Sequence, residues 1–93
     1  MNKRMVIIAY DISDNRRRRQ VAQVLGSYGY RMNYSVFECI LNQKQIASLR
    51  TELLKLINLQ KDSVLFYPLD KISVSLRDYL GNARNLFSGF LSL

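Results

Sequence analysis

Along the chain, apolar residues alternate between two periods. Residues 4–10, RMVIIAY, are apolar at nearly every position, as in a strand covered on both faces. DISDN follows, turn chemistry that places Asp14 or Ser13 to cap a helix. From Asn15 to Tyr28 the period lengthens. Val21, Val24, Leu25 and Tyr28 fall at i, i+3, i+4 and i+7, which is one helical face, and Gly29 reads as the glycine just past its last turn. GYRMNYSVFECIL returns to period two. Residues 30–33 and 35–41 read as two short strands or one bent strand, with Asn33 at the junction. Phe37, Cys39 and Leu41 then share one face, and Val36, Glu38 and Ile40 the other. NQKQ opens a second helix with Asn42 as its cap and Gln45 three residues on. Its apolar stripe is Ile46, Leu49, Leu53, Leu56 and Ile57. SVLFYPL, residues 63–69, is again apolar on both faces, and Pro68 marks its end.

Residues 70–93 fit two patterns. Ile72, Val74 and Leu76 alternate as in a strand, whereas Ile72, Leu76, Tyr79 and Leu80 fit a helix, and FSGFLSL suits a final edge strand. The order up to there is β-α-β-β-α-β, which predicts an α+β, ferredoxin-like domain spanning residues 1–93 with 70–93 as a C-terminal tail or strand. Two helices cover one face of such a sheet. The strands at 5–10 and 63–69 nonetheless carry apolar side chains on both faces. Either a homodimer packs sheet against sheet about a twofold axis, or the tail folds back over the open face. The dimer is the simpler closure.

Composition narrows the partners. The 93 residues are 48% hydrophobic, enough for one core and too few for a second domain. A formal charge of +7 favours a polyanion, nucleic acid or an acidic membrane surface. No apolar run approaches spanning length, and MNKRM precedes only five apolar residues before Asp11, so neither a membrane span nor a signal peptide is expected. One cysteine excludes an intrachain disulfide and fits a reducing cytoplasm.

There is no histidine, which removes the usual general base and the commonest zinc ligand. Cys39 points inward from a strand and reads as a small buried hydrophobe; Tyr10, Tyr28 and Tyr67 are explained by packing. Asp11 differs. It ends the first strand, and Arg16, Arg17, Arg18 and Arg19 follow in the first turn of the helix. The helix dipole disfavours cations there, so an anionic partner is expected. Asp11 itself is either a turn residue bonding nearby backbone amides or a metal ligand. One carboxylate is a sparse magnesium site, since such sites use one or two carboxylates completed by water and phosphate. A twofold dimer would supply the second.

Together, VIIAYDISDNRRRRQVAQVLGSYGYRMNYSVFECIL, a helix, and SVLFYPL resemble the second core Cas family, the small CRISPR-associated nuclease of the adaptation module. The resemblance covers residues 5–69. It is carried by the strand ending Tyr-Asp-Ile, the arginine-bearing first helix, the Ser-Val-Phe-Glu strand start and the late Tyr-Pro-Leu. It implies a ferredoxin-like homodimer with Asp11 of each chain as the catalytic Mg²⁺ ligand. It implies that Arg16, Arg17, Arg18, Arg19 and Arg31 face DNA or RNA, with Tyr10, Asp14 and Phe37 in the same neighbourhood. The implied partners are integrase dimers of the first core Cas family, bridged during spacer acquisition. The sequence departs from the family at Asn33, where glutamine is usual, and in the tail after Leu69, where subunits exchange a strand and the integrase docks. A nuclease, a non-catalytic DNA-holding adaptor and a toxin-type ribonuclease of the same fold all remain compatible with the residues.

Overall fold

The computed structural model describes residues 2–81. Strand β1 (Arg4–Asp11) leads through the DISDN turn into helix α1 (Asn15–Gly26), whose N-cap is Asp14. The Asp14 side chain accepts the Arg17 backbone N–H at 2.8 Å, satisfying one of the orphan donors of the first turn. Strands β2 (Gly29–Asn33) and β3 (Val36–Leu41) form a hairpin. Helix α2 (Gln43–Leu56) begins with a complete capping box: Asn42 accepts from the Gln45 N–H and Gln45 accepts from the Asn42 N–H, both at 2.8 Å. Strand β4 (Ser63–Leu69) and the short helix α3 (Lys71–Ser75) follow.

The four strands pair antiparallel in the order β2-β3-β1-β4, the split arrangement that the β-α-β-β-α-β order predicts. The first-made strand therefore lies inside the sheet, which explains why it is apolar on both faces. Val6, Ile8 and Tyr10 face α1 and α2. They are buried with Phe37, Cys39 and Leu41 of β3, Val21 and Leu25 of α1, and Leu49 and Leu53 of α2. Each such aliphatic side chain contributes about 2 kcal/mol by leaving water. Burial, helped by neighbouring Glu38, pushes the Cys39 thiol up to about 11, as befits an inert core residue.

The opposite face is closed only in part. The tail opens as a helix and not as a strand: Asp70 caps it by accepting the Ser73 N–H at 2.7 Å, and Val74 buries against Met5, Ile7, Ile40 and Leu69. Of the residues that fit the alternating pattern, Ile72 and Leu76 are exposed and only Val74 is inward. Just beyond α3, Arg77 forms an ion pair with Glu38, a buried carboxylate of β3 on this face. The described residues leave the far end of the face open, with Leu65 50% and Tyr67 51% exposed on β4. FSGFLSL, read as an edge strand, lies outside the described residues.

Gly29 is not the residue after a helix. The α1 C-cap is Ser27, whose N–H bonds back to the Val24 and Leu25 carbonyls, and Gly29 begins β2. It has no positive φ. Its requirement is clearance: a Cβ there would lie 2.2 Å from the Glu38 carbonyl oxygen and 2.5 Å from Cys39 Sγ.

Candidate nucleic-acid interface

Asp11 is the last residue of β1, paired in register with Ser63. Strand alternation puts its side chain on the face of Ile7 and Ala9, at the end that α3 leaves uncovered. It is exposed, and its carboxylate makes no hydrogen bond or ion pair with the described residues. The turn contact open to it in the sequence is instead made by Asp14, which caps α1. No group of three or more His, Cys, Asp or Glu side chains able to hold a metal occurs among the described residues. Among the described residues, a metal at the strand end would therefore have fewer than three such side chains from this chain.

The four consecutive arginines have different fates. Arg17, 3.9 Å from Asp14 through Nη1, clamps Asp62. Its Nε donates to Oδ2 at 2.7 Å and its Nη2 to Oδ1 at 3.1 Å, a bidentate pairing with a carboxylate shut off from solvent. The Asn58 N–H donates to the same carboxylate at 2.8 Å. Together the guanidinium and the amide hold the Asp62 carboxyl below the ordinary carboxylate range. Arg18 folds against the DISDN turn, donating to the Ile12 carbonyl at 3.0 Å and the Ser13 carbonyl at 3.3 Å, and to the Asn15 side chain. Arg16 and Arg19 are exposed and make no hydrogen bond or ion pair with the described residues. The spacing could not separate these roles, because the partner of Arg17 lies 45 positions away in the chain.

On the other side of Asp11 stands the tip of the β2–β3 hairpin. The Tyr10 N–H donates to the Ser35 carbonyl at 3.0 Å, and its hydroxyl donates to the Tyr34 carbonyl at 2.5 Å. The Tyr10 ring stacks on Phe37 with centroids 6.3 Å apart. Arg31 donates from Nε to the Asn33 carbonyl (3.2 Å) and from Nη2 to the Tyr34 carbonyl (2.9 Å). Its guanidinium carbon lies 5.8 Å from the Tyr34 ring centre and 5.7 Å from that of Phe37, within cation–π range. Asn33 accepts the Ser35 N–H at 3.0 Å and so shapes this tip. The structure thus brings Tyr10, Arg31 and Phe37 together at the end of β1 on the helix side of the sheet, whereas the Asp11 side chain points to the opposite face. Arg18 approaches the strand end through the following turn, and Arg17 and Asp14 are engaged within the fold. Tyr34, not among the residues picked out from the sequence, lies at the tip itself.

Residues 4–75 match the family described as CRISPR associated protein Cas2. A CRISPR-associated endoribonuclease Cas2 from Synechocystis is 42% identical over 77 residues, 83% of this chain and 84% of that one. A CRISPR-associated endonuclease Cas2 from Thermus thermophilus is 42% identical over 69 residues, 74% and 77% of the two chains. Among solved structures, Streptococcus pyogenes Cas2 superposes with a TM-score of 0.75 at 32% identity, covering 83% of this chain and 99% of that one. Fold, strand order and sequence agree in one assignment: the chain belongs to the Cas2 family of CRISPR-associated proteins.

Proposed function

We propose that this protein acts in CRISPR adaptation as a nucleic-acid-binding homodimer with Mg²⁺-dependent phosphodiesterase chemistry at Asp11, bridging integrase dimers of the first core Cas family. Family membership and the nuclease names of its relatives support the class. The observation that carries the site is the unbonded, exposed Asp11 carboxylate at the open end of the sheet's second face, in a chain of charge +7. A cation suits this donor set, because Mg²⁺ binds through one or two carboxylates with water and substrate phosphate filling the remaining positions. Asp11 of each chain of a dimer would hold it, and when bound it supplies Lewis-acid stabilisation of a phosphoryl oxygen and a more acidic water. The dimer would form through the uncovered Leu65–Tyr67 face, which is apolar enough to require a cover.

The protein's own residues do the rest. Arg16 and Arg19, without partners among the described residues, offer guanidinium groups to phosphates, a contact that positions backbone without reading sequence. Arg31 is held by two carbonyls and keeps its charge at the rim. Arg17 orients the start of α1 through Asp62. With no histidine in the chain, proton removal falls to water or a carboxylate.

The test compares Asp11→Ala with wild type, with and without Mg²⁺, for cleavage, binding and melting. Magnesium-dependent cleavage is expected to disappear while binding persists. Melting should shift little, since an exposed, unbonded side chain changes stability by about 0.5 kcal/mol or less. A variant that still cleaves would remove Asp11 from the mechanism. Binding by both proteins with no cleavage by either would favour the adaptor, in which the same arginines hold DNA and the metal is dispensable.

A further inference from the structure

The hairpin tip beside Asp11 displays an aromatic ring that packing does not explain. Tyr34 is 86% exposed, the most exposed aromatic side chain among the described residues. Its backbone, by contrast, is held on every side. The Tyr34 carbonyl accepts from the Tyr10 hydroxyl and from Arg31 Nη2, the next carbonyl accepts the Tyr10 N–H, and the Ser35 N–H is bound by the Asn33 side chain. An irregularity in pairing between Arg31 and Asn33 turns the strand just before the tip, as bulges do where a side chain is re-aimed. The Arg31 guanidinium lies over the ring at 5.8 Å. One face of the ring is thus backed by a cation and the other faces water. Arg31, Met32, Asn33 and Tyr34 line a shallow hollow there.

A water-facing aromatic ring carried on an anchored hairpin tip beside a cation suits one ligand better than a base-paired helix. An unpaired nucleobase has an open π-face that can stack on the ring while its phosphate meets the guanidinium. Inside a duplex the same face is covered by neighbouring base pairs. We propose that Tyr34 is a stacking site for an unpaired nucleotide, so that the protein distinguishes frayed or overhanging ends from blunt duplex. This rests on the nucleic-acid reading above and assigns the substrate's form at the Asp11 rim.

The experiment measures binding of a blunt duplex and of the same duplex carrying short single-stranded ends, with 2-aminopurine as one unpaired base. Wild type is expected to bind the overhanging form more tightly and to quench 2-aminopurine. Tyr34→Ala should weaken that form about 5- to 100-fold, the range of one base–aromatic stack, and abolish quenching, while leaving blunt-duplex binding unchanged. Tyr34→Trp should keep both signals. The fold should tolerate these changes, because the bonds at the tip are made by the Tyr34 backbone. Equal loss on both substrates, or equal wild-type affinity for both, overturns the stacking site and leaves the nucleic-acid reading standing. Wild type that binds neither substrate overturns both.

Discussion

Two faces of one sheet are closed by different means. Toward α1 and α2, Val6, Ile8, Phe37, Cys39 and Leu41 meet Val21, Leu25, Leu49 and Leu53 with almost no access to water. On the other side, α3 seals the Met5 end through Val74, Arg77 meets Glu38, and Leu65 and Tyr67 remain half in solvent beside the Asp11 end. The first face completes itself within the chain. The second is a base for α3 at one end and, in the function proposed above, a surface for other molecules at the other. On that proposal, stability and function are separated across a single layer of backbone.

Paired truncations should expose that separation most strongly. Leu25→Ala on the sealed face should cost about 3 kcal/mol, the usual penalty for a buried leucine cavity, and lower Tm by more than 10 °C. Leu65→Ala should cost less than about 1 kcal/mol in dilute protein but weaken self-association, read by light scattering at micromolar concentration. Equal melting penalties for the two would show that the faces are energetically alike.

A smaller effect is expected where the second face is sealed by charge. Arg77→Ala leaves Glu38 buried beneath α3 without its guanidinium and should cost about 2 kcal/mol in urea unfolding. The double variant Glu38→Gln with Arg77→Met should recover much of that loss, because neither charge then remains to be desolvated. Additive losses instead would mean the pair is not coupled.

The smallest effect concerns pH at the edge of the sealed face. Asp62 is depressed in the folded state by Arg17 and the Asn58 amide. Its contribution is present above the ordinary carboxylate value and is lost as pH falls through the lower folded one. Asp62→Asn should therefore flatten the acid limb of a stability–pH curve while changing stability less at low pH than at neutrality. An unchanged slope would remove the clamp from acid unfolding.

What the chain discloses in advance is whatever is local. The two-faced strands, the helix stripes and the Asp14 and Asn42 caps follow from period and turn chemistry within a few residues, and the strand order follows from their succession. The Arg17–Asp62 and Arg77–Glu38 pairs join positions 45 and 39 residues apart, and no spacing rule reaches that far. Four arginines in a row consequently look alike until the fold distributes them. The tail at 71–75 satisfied both periods, and the choice was made by the Asp70 cap and by Val74 finding Met5. Gly29 was legible as a special position but not for its reason, since clearance against β3 is visible only once the hairpin is paired. At the rim, Asp11, Arg31 and Phe37 could be chosen from the sequence, whereas Tyr34 needed its exposure to be seen.

The place of β1 also bears on how the protein is made. The strand leaves the ribosome before both of its partners, yet Ile8 must pair with Phe37 on one side and Phe66 on the other. Until β3 and then β4 have been synthesised, a continuous apolar segment with both edges unpaired waits in the nascent chain. Non-local pairings of this kind form slowly and expose sticky intermediates. Chaperone demand during translation should accordingly rest on residues 5–10, and neutral substitutions of the exposed Arg16 and Arg19, charges that flank this segment, should reduce yield before they touch the finished fold.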